Sequence, residues 1–315
     1  MYDVFIDPFV QMYSLPDFFL QVLWEGFVSG VLYSLIALGF VLIFKASGVF
    51  NFAQGIMVVF AALAMVGMYE LGVPGWLAVI LALAIMYGLA FTVERFVMRP
   101  LVGQEDIILF MATIGLTFIL IGGGQAIFGG EPKTMITGEI GLPSGDYVWE
   151  PGGGIVIFQK LDIAATVIAG LLIAGLAFFF SYTKIGRALR AVADDHQAAV
   201  SVGIGLNQIW VVVWFAAGIV ALVTGIMWGA KSDVSFALQI VALKALPVLV
   251  LGGFTSIPGA IVGGLIIGIG EKMFEIYWGG LIGGGTEGWF AYIIALIFLL
   301  FRPQGLFGDK IIERV

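Results

Sequence analysis

Long apolar runs separated by short polar segments dominate the pattern of hydrophobic positions along this chain. A run of roughly 20 apolar residues is long enough to cross the hydrocarbon core of a bilayer as an α-helix. The pattern therefore predicts membrane-spanning helices. They lie near residues 23–44, 50–69, 76–97, 107–128, 161–182, 208–229 and 289–301, and we expect the last to begin before Trp289.

One apolar region, residues 236–278, is interrupted by helix-breaking residues. Pro247, Gly252, Gly253, Pro258 and Gly259 lie within it. This arrangement predicts a short helix, a break and a longer helix. Such breaks are tolerated at membrane depth only where protein or a water-filled path covers the backbone, and interrupted helices often mark transport pathways. Counting this region as interrupted or re-entrant, we expect about eight transmembrane helices in one all-α domain over residues 1–315.

A short amphipathic segment at residues 184–202 departs from the apolar pattern. Its polar positions recur every three or four residues, and the positions between them are mostly apolar. This spacing predicts an amphipathic α-helix of about 15 residues that ends at Gly203 and Gly205. The polar stripe contains Arg187, Arg190, Asp194, Gln197 and Ser201, and the opposing stripe contains Ile185, Leu189, Val192, His196 and Val200.

Two surfaces compete to receive this amphipathic segment. A helix lying on the membrane would place its arginines on lipid phosphates. Against that interpretation, anionic lipid repels the adjacent Asp194 and Asp195, and the apolar stripe lacks the Trp or Phe of an interfacial anchor. The mixed charge favours a protein partner that receives the helix in a groove.

The amino-acid composition also indicates a membrane protein. Hydrophobic residues make up 61% of the 315 residues and charged residues only 11%, which indicates an integral membrane protein that also contacts lipid. The absence of cysteine excludes disulfides and thiolate metal sites. A net charge of −7 with scattered basic residues argues against nucleic acid as a partner.

The distribution of the 14 lysines and arginines predicts the orientation. With the N-terminus outside, nine fall on the cytoplasmic side and three outside, and the remaining two, Lys244 and Lys272, lie in the interrupted region. The C-terminus and the segment 183–207 are then cytoplasmic. The acidic loop 129–160, with hints of strands at 134–140 and 154–158, is outside.

Polar residues inside the predicted spans are candidates for a translocation path. Asn51 and Gln54 are three residues apart on one helix face, and Thr113 and Thr117 are four apart on another. An interhelical hydrogen bond for the first pair and hydrogen bonding back to the i−4 carbonyl for the threonines are the competing structural interpretations. Lys244 and Glu271 are costly charges in apolar surroundings, although side chains near span ends also extend toward the interface.

Nucleotide chemistry is not expected on this chain. A P-loop needs the pattern G-x-x-x-x-G-K-[ST], and the closest stretch, "GLIIGIGEKM", has Glu271 at the lysine position and Met273 at the Ser/Thr position. No cofactor or metal site is predicted, and His196 lacks a second ligand nearby. Energy for active transport would therefore come from a partner.

Four motifs carry a resemblance to a known family. "KIGRALRAVADDHQAAVSVGI" (184–204) resembles the cytoplasmic segment of permeases in the branched-chain amino acid ABC transporter family. The other three matches are "GVLYSLIALGFVLIFKASGVFNFAQGIMVVFAALAMVGMY" (30–69), "VLGGFTSIPGAIVGGLIIGIGE" (250–271) and "RPQGLFG" (302–308). Together they follow the family's order from about Gly26 to Gly308, and the chain looks most like the smaller of two permease types. One departure is Gln54-Gly55-Ile56, where many relatives have His-Gly-Glu.

The resemblance implies a set of partners and a role for the amphipathic segment. It implies a second permease subunit in a heterodimer, two ATPases that bind ATP and Mg²⁺, and an extracytoplasmic solute-binding protein in the inner membrane of a bacterium. The amphipathic segment would be the coupling helix that docks in an ATPase groove. Its contact residues would be Gly186, Arg187, Ala188, Arg190, Asp194, Asp195 and Gly203, and Arg190→Glu is predicted to uncouple transport from ATP hydrolysis.

The predicted function is a non-enzymatic permease subunit of an ATP-driven amino acid importer that works by alternating access. Branched-chain or other hydrophobic amino acids are the first expectation for the solute. Urea or short amides are the alternative within the family. An ion-coupled secondary amino-acid transporter is the alternative class, although only Glu271 and Glu275 approach the buried carboxylate pair that such a transporter needs.

Overall fold

A computed structural model describes residues 6–101, 103–150, 154–194, 199, 201 and 203–308. Of the residues singled out above, Asp195, His196, Gln197 and Val200 lie outside the described residues. The described chain is mainly α-helical. Its helices are α1 (Asp7–Ser14), α2 (Pro16–Ser47), α3 (Gln54–Glu70), α4 (Gly75–Val93), α5 (Asp106–Phe128), α6 (Lys160–Tyr182), α7 (Lys184–Asp194), α8 (Leu206–Ser232), α9 (Leu238–Leu243), α10 (Ala245–Gly252), α11 (Ile257–Phe274) and α12 (Phe290–Phe301).

Six of the described helical stretches are long and apolar enough to cross a membrane. Three shorter apolar helices, Gln54–Glu70, Leu238–Gly252 and Phe290–Phe301, accompany them. The six long stretches support the predicted all-α membrane protein. The expected total of about eight spans depends on the three shorter helices and stays a prediction. The six long stretches are Pro16–Ser47, Gly75–Leu101, Ile107–Phe128, Lys160–Tyr182, Asn207–Ser232 and Ile257–Ile282.

The chain divides into two compact units. The first contains residues 1–37, 142–170 and 244–315, and the second contains residues 38–141 and 171–243. Helices α2 and α6 each contribute residues to both units. The expectation of a single domain over residues 1–315 stays a prediction.

In the second unit, α3 is the central element and packs against α4, α5, α8 and α9. Every residue from Gln54 to Val59 is buried, as expected for a helix that is apolar on all sides. Gly225 of α8 permits a close approach, because a Cβ there would lie 2.5 Å from the Val58 carbonyl oxygen and 2.9 Å from the Cβ of Ala62. Small residues at such contacts let membrane helices pack backbone to backbone.

In the first unit, α2 and α11 meet along glycines. A Cβ at Gly26 would lie 2.7 Å from the Cα of Ile269, and one at Gly30 would lie 2.9 Å from the Gly264 carbonyl oxygen. A Cβ at Gly268 would overlap the backbone of Gly30. Gly26 and Gly30 of α2, and Gly264 and Gly268 of α11, are each four residues apart and permit close packing of these two helices.

The predicted interruption in the region 236–278 is present between α10 and α11. Gly253 has a φ of 103°, in the left-handed region that favours glycine, and it ends α10. The chain from Leu306 to Phe307 covers the break. The Leu306 amide donates to the Leu251 carbonyl over 2.8 Å, and the Phe307 amide donates to the Gly252 carbonyl over 3.1 Å. The C-terminal motif thus satisfies backbone groups that the break would leave open.

Two sequence predictions about the loops are wrong. Residues 134–136 have no regular structure and residues 137–140 form turns, rather than a strand. The described hairpin pairs β1 (Asp146–Trp149) with β2 (Val156–Gln159), which overlaps the second predicted strand. The last helix begins at Phe290 rather than before Trp289, because Gly283, Gly284 and Gly285 all have positive φ and a 3₁₀ turn follows them.

Candidate functional sites: the amphipathic helix and the buried polar groups

The amphipathic segment forms helix α7, which packs against α8. Leu189 and Val192 are buried, whereas Lys184 and Arg187 are exposed. Thr183 begins the helix, because its hydroxyl oxygen accepts a hydrogen bond from the Gly186 amide over 3.1 Å. Leu189 and Val192 on one side, and Arg187 and Ser201 on the other, follow the predicted stripes, whereas Ile185 of the predicted apolar stripe is exposed.

The corner between α6 and α7 explains two residues of the coupling motif. A Cβ at Gly186 would overlap the Phe180 carbonyl, so only glycine fits there without a shift of the backbone. The Arg190 guanidinium donates through Nη1 to the Phe180 carbonyl over 2.7 Å and through Nη2 to the Ser181 carbonyl over 3.2 Å. A cation at the carbonyl end of a helix stabilises it. Gly186 and Arg190 thus shape the corner itself.

Three other residues of the coupling motif, Arg187, Ala188 and Gly203, are not fully buried. Arg187 is exposed and donates to the Tyr182 carbonyl over a long 3.4 Å. Ala188 is half-buried, and Gly203 is exposed in a turn with a φ of 85°. Asp194 is the last residue of α7, and Asp195 lies outside the described residues. Docking of an ATPase on these residues stays a prediction.

The four predicted pathway residues are buried in the second unit, and we call them the neutral cluster (Asn51, Gln54, Thr113 and Thr117). Asn51 accepts from the Ala53 amide over 3.0 Å at the start of α3. The Thr113 hydroxyl oxygen accepts from the Phe52 amide over 3.2 Å and donates to the Phe110 carbonyl over 2.8 Å. Asn51 and Thr113 therefore hold the same stretch of backbone between α2 and α3.

The other two members of the neutral cluster also bond to backbone. Gln54 donates through Nε2 to the Ala217 carbonyl of α8 over 3.3 Å, which is an interhelical hydrogen bond. Its Oε1 has no hydrogen-bond partner among the described residues. Thr117 donates to the Thr113 carbonyl over 2.9 Å, the back-bonding expected of a threonine in a membrane helix. Gln54 and Thr117 match their structural interpretations, whereas Asn51 bonds to a local amide and Thr113 donates to the i−3 carbonyl. Asn51 also precedes α3, so the prediction that it shares a helix face with Gln54 is wrong. A role of the four residues in translocation stays a prediction.

A buried polar group that the sequence did not single out joins α4 to α8. Glu94 is buried at the end of α4. In the amide orientation that satisfies both neighbours, Asn207 donates to Glu94 Oε1 over 3.2 Å and accepts from Arg99 Nη2 over 2.8 Å. Asn207 therefore connects the start of α8 to the chain that follows α4.

Three residues of the first unit form a charged site: Tyr33 of α2, Lys244 at the junction of α9 and α10, and Glu271 of α11. Lys244 Nζ donates to Glu271 Oε1 over 2.6 Å, and the Tyr33 hydroxyl donates to the same oxygen over 3.2 Å. Lys244 Nζ also lies 5.9 Å from the centroid of the Tyr33 ring. Glu271 is only 2% exposed, so this ion pair lies inside the protein rather than at an interface with water.

Sequence reasoning named Lys244 and Glu271 as costly charges but did not pair them. They are separated by 27 residues, and no helical spacing connects them. Opposite sign within one interrupted region was the single available signal. Tyr33 gave no signal, because it lies 238 residues from Glu271 in the chain.

Comparison with known proteins assigns the family. The family model described as "Branched-chain amino acid transport system / permease component" matches residues 22–302. The chain belongs to this permease family. It is accordingly a multi-pass inner-membrane permease subunit of the branched-chain amino acid ABC family, as the four motifs indicate.

Two curated relatives align over nearly their whole length. The high-affinity branched-chain amino acid transport system permease protein BraD of Pseudomonas aeruginosa is 30% identical, over 94% of this chain and 98% of that protein. The high-affinity branched-chain amino acid transport system permease protein LivH of Escherichia coli K12 is 27% identical, over 95% of this chain and 98% of that protein. The likeness is therefore not confined to the four motifs.

Proposed function

We propose that this chain is a permease subunit of an ATP-driven importer that takes up branched-chain or other hydrophobic amino acids. The observation that carries the proposal is the match of the permease family over residues 22–302. The similarity to BraD and LivH, which are branched-chain amino acid permeases, supports the solute class. The charged site adds support, because groups of both signs inside the membrane domain suit an amino acid better than they suit urea or a short amide.

Helix α7 is the proposed coupling helix. Helix α7 packs against α8, and its exposed residues Lys184 and Arg187 would enter a groove of an ATPase. The packing of Gly186 and Arg190 at the α6–α7 corner makes the helix a rigid extension of α6. Movement of α7 with a docked ATPase would therefore be transmitted to a membrane-spanning helix.

The remaining parts of the importer would be separate chains. A second permease would complete the pathway as a heterodimer, with this chain as the smaller permease type. Two ATPases would bind ATP and Mg²⁺, and an extracytoplasmic binding protein would deliver the solute. The N-terminus would lie outside and the C-terminus in the cytoplasm, in agreement with the nine-to-three distribution of basic residues. Transport would proceed by alternating access.

Reconstitution tests this proposal. The full chain is placed in liposomes with the permease and ATPase subunits encoded beside it, and the binding protein is added outside with radiolabelled L-leucine. Uptake should require ATP inside the liposomes and should be unaffected when ion gradients are collapsed. Uptake driven by an ion gradient without the ATPases would instead establish a secondary transporter. Uptake of radiolabelled urea in place of leucine would overturn the proposed solute.

A further inference from the structure

As a contribution to the stability of the fold alone, burial of the ion pair in the charged site is unfavourable in free energy. An ion pair removed from water loses hydration that the attraction between its charges often does not restore. Well-packed apolar residues in its place are therefore frequently neutral or stabilising. Lys244 and Glu271 nevertheless lie in the interrupted region of a membrane protein, where ionisable side chains mark solute pathways. The position of the pair points to function rather than to stability.

In the charged site, one oxygen of Glu271 and part of the donor capacity of Lys244 are unused among the described residues. Glu271 Oε1 accepts from both Lys244 and Tyr33, whereas Glu271 Oε2 is buried and has no hydrogen-bond partner among the described residues. An ammonium group has three donors, and within the described residues Lys244 Nζ donates a hydrogen bond to Glu271 alone. The site therefore contains an acceptor that can bind a cation, Glu271 Oε2, next to donors that can bind an anion, on Lys244 Nζ.

We propose that Lys244 and Glu271 form a binding subsite for the charged groups of a zwitterionic amino acid. The solute's ammonium group would bind Glu271 Oε2, and its carboxylate would bind the Lys244 ammonium. This subsite rests on the proposed function, because it is a place along the path of the imported amino acid. The Lys244 side chain is 16% exposed and that of Glu271 is 3% exposed, so the solute reaches the carboxylate when the ion pair opens.

The balance of charge explains which solutes such a subsite accepts. When a zwitterion inserts between Lys244 and Glu271, each side chain exchanges one opposite charge for another, and no buried charge is left alone. A solute with only an ammonium group leaves Lys244 uncompensated, and one with only a carboxylate leaves Glu271 uncompensated. An uncharged amide leaves both without an ionic partner once they have been separated. Removal of one partner from a buried charge is strongly unfavourable.

Tyr33 is a positioning residue in this account. Its hydroxyl holds Glu271 Oε1 together with Lys244, which turns the second oxygen of the carboxylate away from them. Tyr33→Phe removes the hydroxyl and keeps the ring. We expect this variant to bind L-leucine more weakly and to discriminate less between L-leucine and leucinamide, because Glu271 is then free to turn both oxygens toward Lys244.

Direct binding tests the subsite. The full chain is purified in nanodiscs with its permease and ATPase subunits but without the binding protein, and the binding of tritiated L-leucine is measured. Unlabelled L-leucine, leucinamide and 4-methylpentanoate serve as competitors, since the last two keep one charged group each. The test variant combines Lys244→Met with Glu271→Leu. The matched control combines Lys272→Met with Glu287→Gln, a nearby ion pair with side chains 28% and 36% exposed.

The wild-type complex should prefer L-leucine to each competitor by about tenfold or more, the size of effect that a lost hydrogen bond to a charged group produces. The Lys244–Glu271 double variant should bind L-leucine about tenfold more weakly and lose this preference, while the control keeps both properties. Unchanged affinity and preference in the double variant, equal losses in test and control, or no binding to a wild-type complex that transports leucine would each overturn the subsite. Failure of the wild-type complex to transport leucine would instead overturn the proposed function.

Discussion

The two groups of buried polar residues in this permease differ in what they bond to. In the neutral cluster, Asn51, Gln54, Thr113 and Thr117 each form a hydrogen bond with backbone of the same unit. In the charged site, the Lys244 ammonium and the Tyr33 hydroxyl both donate to one oxygen of Glu271. Polar groups that bond to backbone position helices. A pair of charges that bond mainly to each other is free to exchange partners.

The sequence pattern predicted a pathway at the neutral cluster and did not pair the two charges of the charged site. Helical spacing made the neutral cluster visible, because its members lie three or four residues apart. The same spacing also brings their hydrogen-bonding groups within reach of local backbone, as the bond from Thr117 to the Thr113 carbonyl illustrates. Regular spacing within one helix therefore predicts local hydrogen bonds to backbone as well as a pathway.

The largest expected effect comes from Lys244→Met alone. It leaves Glu271 buried without a cation, which should lower the free energy of unfolding by about 3–5 kcal/mol. The double variant with Glu271→Leu should recover to within about 1 kcal/mol of the wild type, since no charge remains buried. Thermal unfolding of the purified chain, followed by tryptophan fluorescence, measures both. Equal destabilisation of the single and double variants would contradict the idea that the two charges compensate each other.

A second prediction separates the structural and coupling roles of α7. Arg190→Glu removes two charge-assisted hydrogen bonds to the end of α6 and places a carboxylate beside its carbonyls, so it should cost roughly 2 kcal/mol of stability. Arg187→Glu changes an exposed side chain, so it should stay within about 0.5 kcal/mol of the wild type. Arg187→Glu should nevertheless reduce ATP hydrolysis stimulated by the loaded binding protein, as expected for a docking contact.

This second prediction refines the one made from the sequence, where Arg190→Glu was the test of coupling. Because Arg190 holds the α6–α7 corner, a loss of transport in that variant has a structural explanation as well. Arg187→Glu is the cleaner test, with thermal unfolding as the control for folding. Unchanged stimulation of ATP hydrolysis in a stably folded Arg187→Glu complex would remove Arg187 from the coupling surface.

The fold was predictable from the sequence as far as hydrophobicity determines it. The predicted span at 161–182 corresponds to α6, Lys160–Tyr182, and the glycine breaks of the region 236–278 appear between α10 and α11. Long-range contacts determine the rest. The covering of that break by residues 306–307, and the meeting of Tyr33 with Glu271, join positions distant in the chain that no periodicity connects.

A smaller effect is expected in the neutral cluster. Gln54→Met removes the interhelical hydrogen bond to the Ala217 carbonyl. A typical hydrogen bond contributes about 0.5–1.5 kcal/mol to the free energy of unfolding. The same change removes Oε1, a buried oxygen without a hydrogen-bond partner among the described residues, so the net loss should fall at the low end of that range. Leucine uptake should stay within about twofold of the wild type. A large loss of leucine uptake in a variant that is only slightly destabilised would show that Gln54 contributes to the translocation path.

The smallest effect is expected for Thr117→Ala. The Thr117 hydroxyl bonds to a carbonyl that already belongs to the α5 helix, so its removal leaves that carbonyl with its helical partner. The free energy of unfolding should change by less than about 0.5–1 kcal/mol, and transport should not change. Equilibrium unfolding together with uptake measures this. A strong transport defect would show that the hydroxyl contacts solute.

The most direct test of the difference between the two groups is ATP-driven uptake of radiolabelled L-leucine by three complexes of matched stability. These contain the wild-type chain, Gln54→Met, or the double variant Lys244→Met with Glu271→Leu. If the charged site binds the solute, leucine uptake should stay within about twofold of the wild type for Gln54→Met. It should fall by about tenfold or more for the double variant. Normal uptake by the double variant together with loss in Gln54→Met would assign the solute path to the neutral cluster instead.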